Sequence, residues 1–171
     1  METWDAIMAR RNVRAFADRP IPQADLERVL EAGWAAPSAM NRQHRDFVVC
    51  TERGQLEALA TVWQYAGHVA SSAATVAIVA PAAAEEGAGE VDQFDIGQAV
   101  MAMAIAAADL GIGSGHASIG DQDKARAILG VPGDHFCAYL LALGYPADRP
   151  LAPLSHLNRR PFNEVVHHGQ W

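Results

Sequence analysis

The sequence predicts one sandwich domain of helices and strands over residues 1–171, of the α+β or α/β class with few strands. Two observations predict this fold class. Helical and strand-like hydrophobic patterns alternate along the chain, and no internal repeat or linker divides it. The length suits a single domain, and half of the 171 residues are hydrophobic while 19% are charged, which is a globular composition.

The first half of the chain predicts three helices and two strands. Apolar residues recur at the helical period in three segments, and two apolar runs have the length of strands. The predicted helices are residues 2–11, 23–35 and 55–66, and the predicted strands are residues 46–51 and 75–80. Residues 82–90 are rich in alanine, glycine and glutamate, so we expect a flexible loop there.

The second half begins with the longest predicted helix, residues 91–110. Because this helix is apolar nearly all round, we expect it to be buried on more than one side. A glycine-rich loop is predicted at 111–118, a helix at 121–129 and a strand at 136–143. The last 25 residues contain three prolines and predict an extended arm with a short helix around 161–167.

The charge distribution limits the classes of ligand. The net charge of −7 argues against nucleic acid, whose phosphates need a basic face. Residues 54–135 hold two basic and ten acidic residues, whereas the other eleven basic residues lie near the two ends of the chain. We expect no signal peptide, membrane span or zinc site, because the first residues lack an apolar region, the apolar stretches are short and the cysteine spacing is not typical of zinc. We therefore expect a cytoplasmic protein without a metal, in which an anion would be bound by the chain ends.

Two arginine-rich segments are candidate phosphate sites. Residues 10–14 place three guanidinium groups and one amide within five positions, and such donors suit the paired oxygens of a phosphate. Two further arginines precede a proline in the C-terminal arm. The alternatives are a solvated basic turn after a helix and an ordinary exposed arm. The candidate ligands are Arg10, Arg11, Asn12, Arg14, Arg159 and Arg160.

Two other segments are candidates for contact with a flat heterocycle. Residues 36–43 present several side-chain donors and acceptors from one irregular segment, although a C-cap turn is an alternative. Residues 111–118 let the backbone approach a ligand closely, but their spacing and their position after a helix exclude a Rossmann or P-loop motif. The candidates are Pro37, Ser38, Ala39, Asn41 and Gln43, together with Gly113, Ser114, Gly115 and His116.

Taken in order, these segments resemble the nitroreductase family of FMN-dependent oxidoreductases over nearly the whole chain. The family pattern R-R-S-x-R-x-F is matched by Arg10, Arg11, Arg14 and Phe16. The pattern A-P-S-x-x-N-x-Q-P-W-x-F is matched by Ala36, Pro37, Ser38, Asn41, Gln43 and Phe47. The long central helix, G-Y-P and the basic C-terminal pattern are matched by residues 95–113, 144–146 and 160–165.

The chain departs from the family pattern in three places. Asn12 replaces the usual serine, although an amide can still donate to a phosphate. His44 and Arg45 replace the usual Pro-Trp, which alters the expected pocket wall. The segment between the second strand and the central helix is short, so an insertion that defines the substrate is expected to be missing. These departures leave the substrate open.

The resemblance implies a fold, an assembly and a cofactor site. The expected fold is a three-layer α/β/α sandwich with a mostly antiparallel sheet, and the expected assembly is an intertwined homodimer that exchanges C-terminal arms and binds FMN at its interface. Arg10, Asn12 and Arg14, with Arg159 or Arg160, are expected to hold the phosphate. Pro37, Ser38, Ala39 and Asn41 are expected to cover the flavin of the partner subunit, and residues 113–116 to place a backbone N–H near flavin N5.

The resemblance also implies a reaction. NAD(P)H is expected to reduce the flavin, and a nitroaromatic or quinone then takes two electrons in a ping-pong cycle. Since the cofactor carries the chemistry, no side chain is assigned a catalytic role. Two alternatives remain at this point: a flavin- or deazaflavin-binding protein without turnover, and a dehydrogenase or oxidase with the same fold.

Overall fold

A computed structural model describes residues 1–82 and 88–171 of the chain, the side chain of Ala88 excepted. The helices are α1 (Thr3–Ala9), α2 (Gln23–Trp34), α3 (Arg53–Leu59), α4 (Ala88–Asp109) and α5 (Gln122–Leu129). The strands are β1 (Asp46–Cys50), β2 (Ala74–Pro81), β3 (Gly113–Ala117) and β4 (His135–Gly144). Most of the predicted loop at 82–90 lies outside the described residues.

The four strands form one antiparallel sheet in the order β1-β2-β4-β3. The central strands β2 and β4 alternate their side chains between two hydrophobic cores. Ala77 and Leu140 join the core that contains α3 and α5, whereas Ile78 and Leu141 join the core that contains α2 and α4. Helices therefore cover both faces of the sheet, which confirms the predicted α+β sandwich.

Helix α4 is the central helix of the fold. It packs on α2 and also contacts α1 and β3. Met103 and Ala107 are fully buried in its core-facing side, whereas Phe94 and Met101 on its outward side are exposed. The helix is therefore buried against several elements of its subunit, as expected, while its outward side is exposed.

Three sequence-based predictions of local structure are wrong. The predicted glycine-rich loop contains the strand β3, because Gly113 to Ala117 pair in register with Gly144 to Leu140 of β4. The predicted helix 55–66 ends at Leu59, since the carbonyl of Val62 accepts the N–H groups of Gly120 and Asp121 instead of continuing a helix.

The third wrong prediction concerns the C-terminal arm. A helix was expected around 161–167, but the structure has a 3₁₀ turn at Phe162–Glu164. Short helices need tertiary packing to persist in water. Phe162 is 76% exposed, so the subunit provides no such packing there.

Candidate functional site

A cavity of about 410 Å³ lies between the segment that follows α1, the strands β3 and β4, and the outward side of α4. Its polar wall is formed by Arg10, Asn12, Ser114 and His116. Because side chains alternate along a strand, Ser114 and His116 face this cavity together. Its apolar wall contains Ile96, Gly97, Val100, Met101, Ala104 and Leu141. The cavity thus offers an apolar surface with a few convergent polar groups.

A second cavity of about 390 Å³ adjoins the first one and shares Arg10, Asn12 and Met101 with it. Arg11, Asn158 and Arg159 also line this second cavity. The C-terminal arm therefore folds back on its own subunit and carries Arg159 to the arginines that follow α1. The two basic ends of the sequence meet at one place, as their separation from the acidic middle predicts.

The arginines around these cavities differ in their partners. Arg11 donates to Asp148 over 2.6 Å and to the carbonyl of Arg149 over 2.9 Å. Arg160 lies 3.7 Å from a carboxylate oxygen of Glu164. By contrast, no described carboxylate lies within ion-pair distance of Arg10 or Arg159. Arg10 and Arg159 are therefore the arginines that remain available to an added anion.

Arg14 lies beside β3 and is oriented by a histidine. Its Nη1 is 3.0 Å from Nε2 of His68, which is carried by the 3₁₀ helix Gly67–Ser71 and is buried. Burial is the main cause that lowers the pKa of His68, and the positive charge of Arg14 adds to it. The ring is therefore uncharged at neutral pH.

The close approach of residues 12–14 to β3 requires the two glycines of that strand. Asn12 forms a parallel bridge with Ser114, and Val13 donates its N–H to the Ser114 carbonyl over 2.9 Å. A Cβ at Gly113 would lie 2.6 Å from Val13 Cγ2, and a Cβ at Gly115 would collide with the Val13 carbonyl. Gly113 and Gly115 thus hold the arginine segment in place but do not line the cavity.

His116 lines the cavity as an uncharged side chain. Burial is the largest cause that lowers its pKa, and the positive charges of Arg14 and Arg10 lower it further. At neutral pH the imidazole is thus an uncharged hydrogen-bonding group at the cavity wall.

The segment 36–45 lies on the other side of α4 from the cavities. The N–H of Ala39 donates to Asp95 over 2.9 Å, and the N–H of Gln43 donates to Ser38 Oγ over 3.0 Å. Arg45 donates to the carbonyls of Ala36 and Pro37. Within one subunit, Pro37, Ser38, Ala39, Asn41 and Gln43 are therefore not brought to the arginines.

Segment 36–45 also contains strained backbone and contacts a buried carboxylate. Asn41 and Gln43 have φ values of 56° and 57°, a region that few side chains adopt. His44 and Arg42 lie 3.4 and 3.5 Å from Asp92, whose side chain is 6% exposed. The replacement of Pro-Trp by His44 and Arg45 therefore provides polar contacts that anchor this segment.

Sequence reasoning missed three residues that belong to the site. Tyr139 and Gln93 line the first cavity, and His68 contacts Arg14. No sequence motif pointed to Tyr139 or Gln93, because each lies within the regular pattern of a strand or a helix. His68 was an isolated histidine in an alanine- and serine-rich stretch, and only the fold brings it to Arg14.

Other kinds of site find no support in the described residues. Burial raises the pKa of Cys50 to about 11 and that of Cys137 to about 12, so neither thiol is an activated nucleophile. No group of three potential metal ligands is present in residues 1–82 and 88–171. No helix of this described part is long and apolar enough to cross a bilayer.

A family model and a related protein assign the chain to the same family. The model described as "Nitroreductase family" matches residues 7–73 and 62–145. A protein of Archaeoglobus fulgidus, provisionally named NADH dehydrogenase/NAD(P)H nitroreductase, is 28% identical over 151 residues, which are 86% of this chain and 87% of that protein.

Two solved structures show the same fold. An FMN-dependent nitroreductase of Clostridium difficile R20291 superposes with a TM-score of 0.84 at 19% identity, covering 97% of this chain and 99% of the other. The NADPH:FMN oxidoreductase of Vibrio harveyi, solved in complex with NAD⁺, also gives 0.84, at 23% identity over 97% of this chain and 76% of the other.

Proposed function

Since this chain belongs to the nitroreductase family, we propose that it is an FMN-dependent oxidoreductase that uses NADH or NADPH to reduce nitroaromatic, quinone or similarly flat acceptors. The observation that carries the proposal is the meeting of Arg10, Asn12 and Arg159 around two adjoining cavities. These residues come from opposite ends of the sequence, and they face an apolar wall of α4.

The donor set fits the phosphate of FMN. Two arginines without a described acidic partner would bind a dianion, and the amide of Asn12 would add a neutral donor. Because the protein has a net charge of −7, a phosphate needs such local compensation to bind. Arg11 is already paired with Asp148, so we assign it to holding the arm rather than the phosphate.

The remaining cavity fits a flat ring system. Its volume of about 410 Å³ lies in the range of small-molecule sites, roughly 300–1,000 Å³. When bound, FMN would supply the two-electron chemistry between NAD(P)H and the acceptor. The residues of this chain would hold and orient it: Val100 and Ala104 exclude water on one side, and Ser114 and His116 offer hydrogen bonds on the other.

We further propose that the active species is a homodimer. Segment 36–43 does not line the cavities of its own subunit, so it would contribute to the site of a second copy. The accessible surface of 9857 Å² supports this assembly, because a folded monomer of 18.3 kDa is expected to expose about 8,100 Å². The extended arm and the exposed apolar side chains of α1 and α4 account for part of this excess.

The absorption spectrum of the purified protein tests the proposed function. FMN should be released by heat and identified by mass, and anaerobic NADH or NADPH should bleach the bound flavin. A quinone or nitroaromatic should then restore the colour. Bound flavin that NAD(P)H does not bleach would favour a binding protein without turnover, and product analysis under oxygen would reveal an oxidase. Protein without flavin, even after incubation with FMN, would overturn the proposal.

A further inference from the structure

We propose that His68 is a positioning residue for Arg14, and that its protonation makes FMN binding sensitive to acid. The uncharged ring accepts a hydrogen bond from the Arg14 guanidinium and holds it against Gly115 of β3, next to His116 of the cavity wall. A protonated ring has no acceptor to offer and repels the guanidinium. This inference rests on the proposed function and adds Arg14, which the family pattern places among the FMN ligands, to the residues that hold the cofactor.

The contact between the two side chains is direct, and its histidine partner is buried. Nη1 of Arg14 lies 3.0 Å from Nε2 of His68, and the histidine residue is only 7% exposed. The same Nε2 lies 3.2 Å from the carbonyl oxygen of Gly115. One nitrogen cannot accept from Arg14 and donate to Gly115 at once, so the presence or absence of a proton on Nε2, set by the tautomer and the charge of the ring, decides which contact is a hydrogen bond.

The surrounding backbone leaves the guanidinium little freedom to move. A Cβ at Gly115 would lie 2.8 Å from Arg14 Nη1 and 3.2 Å from His68 Cδ2, so both side chains pack directly on this glycine. Val13 is fixed to β3 by its hydrogen bond to Ser114. Arg14 therefore leaves the backbone at a fixed point, and His68 is the side chain that determines where its far end lies.

A carboxylate commonly orients an arginine, as Asp148 does for Arg11. Among the described residues, no carboxylate lies within ion-pair distance of Arg14. A neutral acceptor leaves the positive charge of the guanidinium uncompensated and thus fully available to FMN. It also introduces an imidazole, which gains a positive charge when it is protonated, whereas a protonated carboxylate is neutral.

The groups around His68 determine the direction of the pH effect. Burial lowers its pKa, Arg14 and His116 lower it further, and hydrogen bonding at the Gly115 and Tyr65 backbones opposes this. The ring is therefore uncharged at neutral pH and gains its proton as the pH falls below the usual histidine range. FMN binding should accordingly be strong at pH 8 and weaken in acid.

Titration of the apoprotein with FMN at pH 8.0 and 5.5 tests the inference. H68Q keeps an acceptor for Arg14 without a titrating group, H68L removes the acceptor, and H135Q is a matched control at the distant start of β4. At pH 8.0 we expect H68Q to bind FMN like the wild type and H68L to bind about tenfold more weakly. The loss of affinity on going to pH 5.5 should be smaller in H68Q than in the wild type and H135Q.

Comparison with H68Q cancels the titration of the FMN phosphate and of His116, which all variants share. An H68L variant that binds FMN like the wild type, or equal acid sensitivity in wild type and H68Q, would overturn the inference. Nitrogen-15 NMR gives a readout without FMN: His68 should carry its proton on Nδ1 at pH 8, and a proton on Nε2 would refute it. Failure of the wild type to bind FMN, with His68 protonated on Nδ1, would instead overturn the proposed function.

Discussion

Arg159 and Arg160 are neighbours in the sequence but have different surroundings. Arg159 lines the same cavity as Arg10, whereas Arg160 lies near Glu164 in the same arm. The sequence alone left open which of the two would reach a phosphate. The fold distinguishes them because the arm turns at Arg159, whose N–H donates to the Leu157 carbonyl over 2.9 Å, and Arg160 follows this turn.

Replacement of Arg159 should therefore weaken FMN binding selectively. A hydrogen bond to a charged group contributes roughly 1.5–3 kcal/mol, so Arg159→Ala should raise the FMN dissociation constant about ten- to a hundredfold. Arg160→Ala loses a surface ion pair of little worth and should stay within about threefold of the wild type. Quenching of flavin fluorescence measures both. Equal effects of the two changes would contradict the assignment.

Gly115 is predicted to be sensitive to the addition of a single methyl group. Gly115→Ala places a Cβ against the Val13 carbonyl, a backbone atom that cannot move aside cheaply. We expect a loss of about 1–3 kcal/mol in the free energy of unfolding, measured by urea denaturation. Gly54→Ala is the control, because a Cβ there meets nothing within 4 Å. A Gly115→Ala protein as stable as the wild type would show that residues 12–14 do not lie tightly on β3.

At the scale of secondary structure, α4 connects the two parts of the proposed site. One side of the helix lines the cavity through Gly97 and Met101, and Asp92 and Asp95 on another side hold segment 36–45. The helical period places these two sets on different faces. A shift of α4 would therefore move the cavity wall and the segment together.

Removal of the Asp95 carboxylate should release segment 36–45 without unfolding the domain. Asp95→Ala removes the acceptor of the Ala39 N–H, and loss of such a buried hydrogen bond costs about 1–3 kcal/mol. We expect hydrogen exchange at Ala39 to accelerate while exchange in β2 and β4 stays slow. Asp123→Ala, at an exposed position of α5, should leave Ala39 unchanged. Uniform acceleration in both variants would contradict a local effect.

At the scale of the whole molecule, the subunit exposes large apolar side chains on two helices. Trp4 of α1 is 68% exposed and Phe94 of α4 is 71% exposed, while Ile7 and Met101 line a surface cavity together. Contiguous exposed apolar surface often marks an interface between proteins. The proposed homodimer would bury these side chains.

Sedimentation tests this assembly. The wild type should have about twice the mass of the 18.3 kDa chain, with no folded monomer on dilution. Phe94→Glu should shift the protein toward monomer and lower its FMN content, because a buried charge without a partner is costly. Ala127→Glu, which adds the same charge to α5, should remain dimeric. A stable monomer of the wild type that retains FMN would refute the interface.

The sequence by itself determined the family, the layered fold and most of the elements. Long apolar runs and helical repeats identify β2, β4, α2 and α4, because burial of side chains follows local periodicity. It also identified Arg10, Asn12 and the arginines of the arm as candidates for one anion site. These predictions depend on residue type and spacing, which are visible in the chain.

Only the tertiary structure decided which distant residues meet. β3 has weak local propensity, and it forms because β4 supplies its hydrogen bonds. Helix α3 ends early because Gly120 and Asp121 compete for the Val62 carbonyl. The pairing of His68 with Arg14 and the choice of Arg159 over Arg160 depend on contacts across 54 and about 150 residues, and no local pattern encodes such contacts.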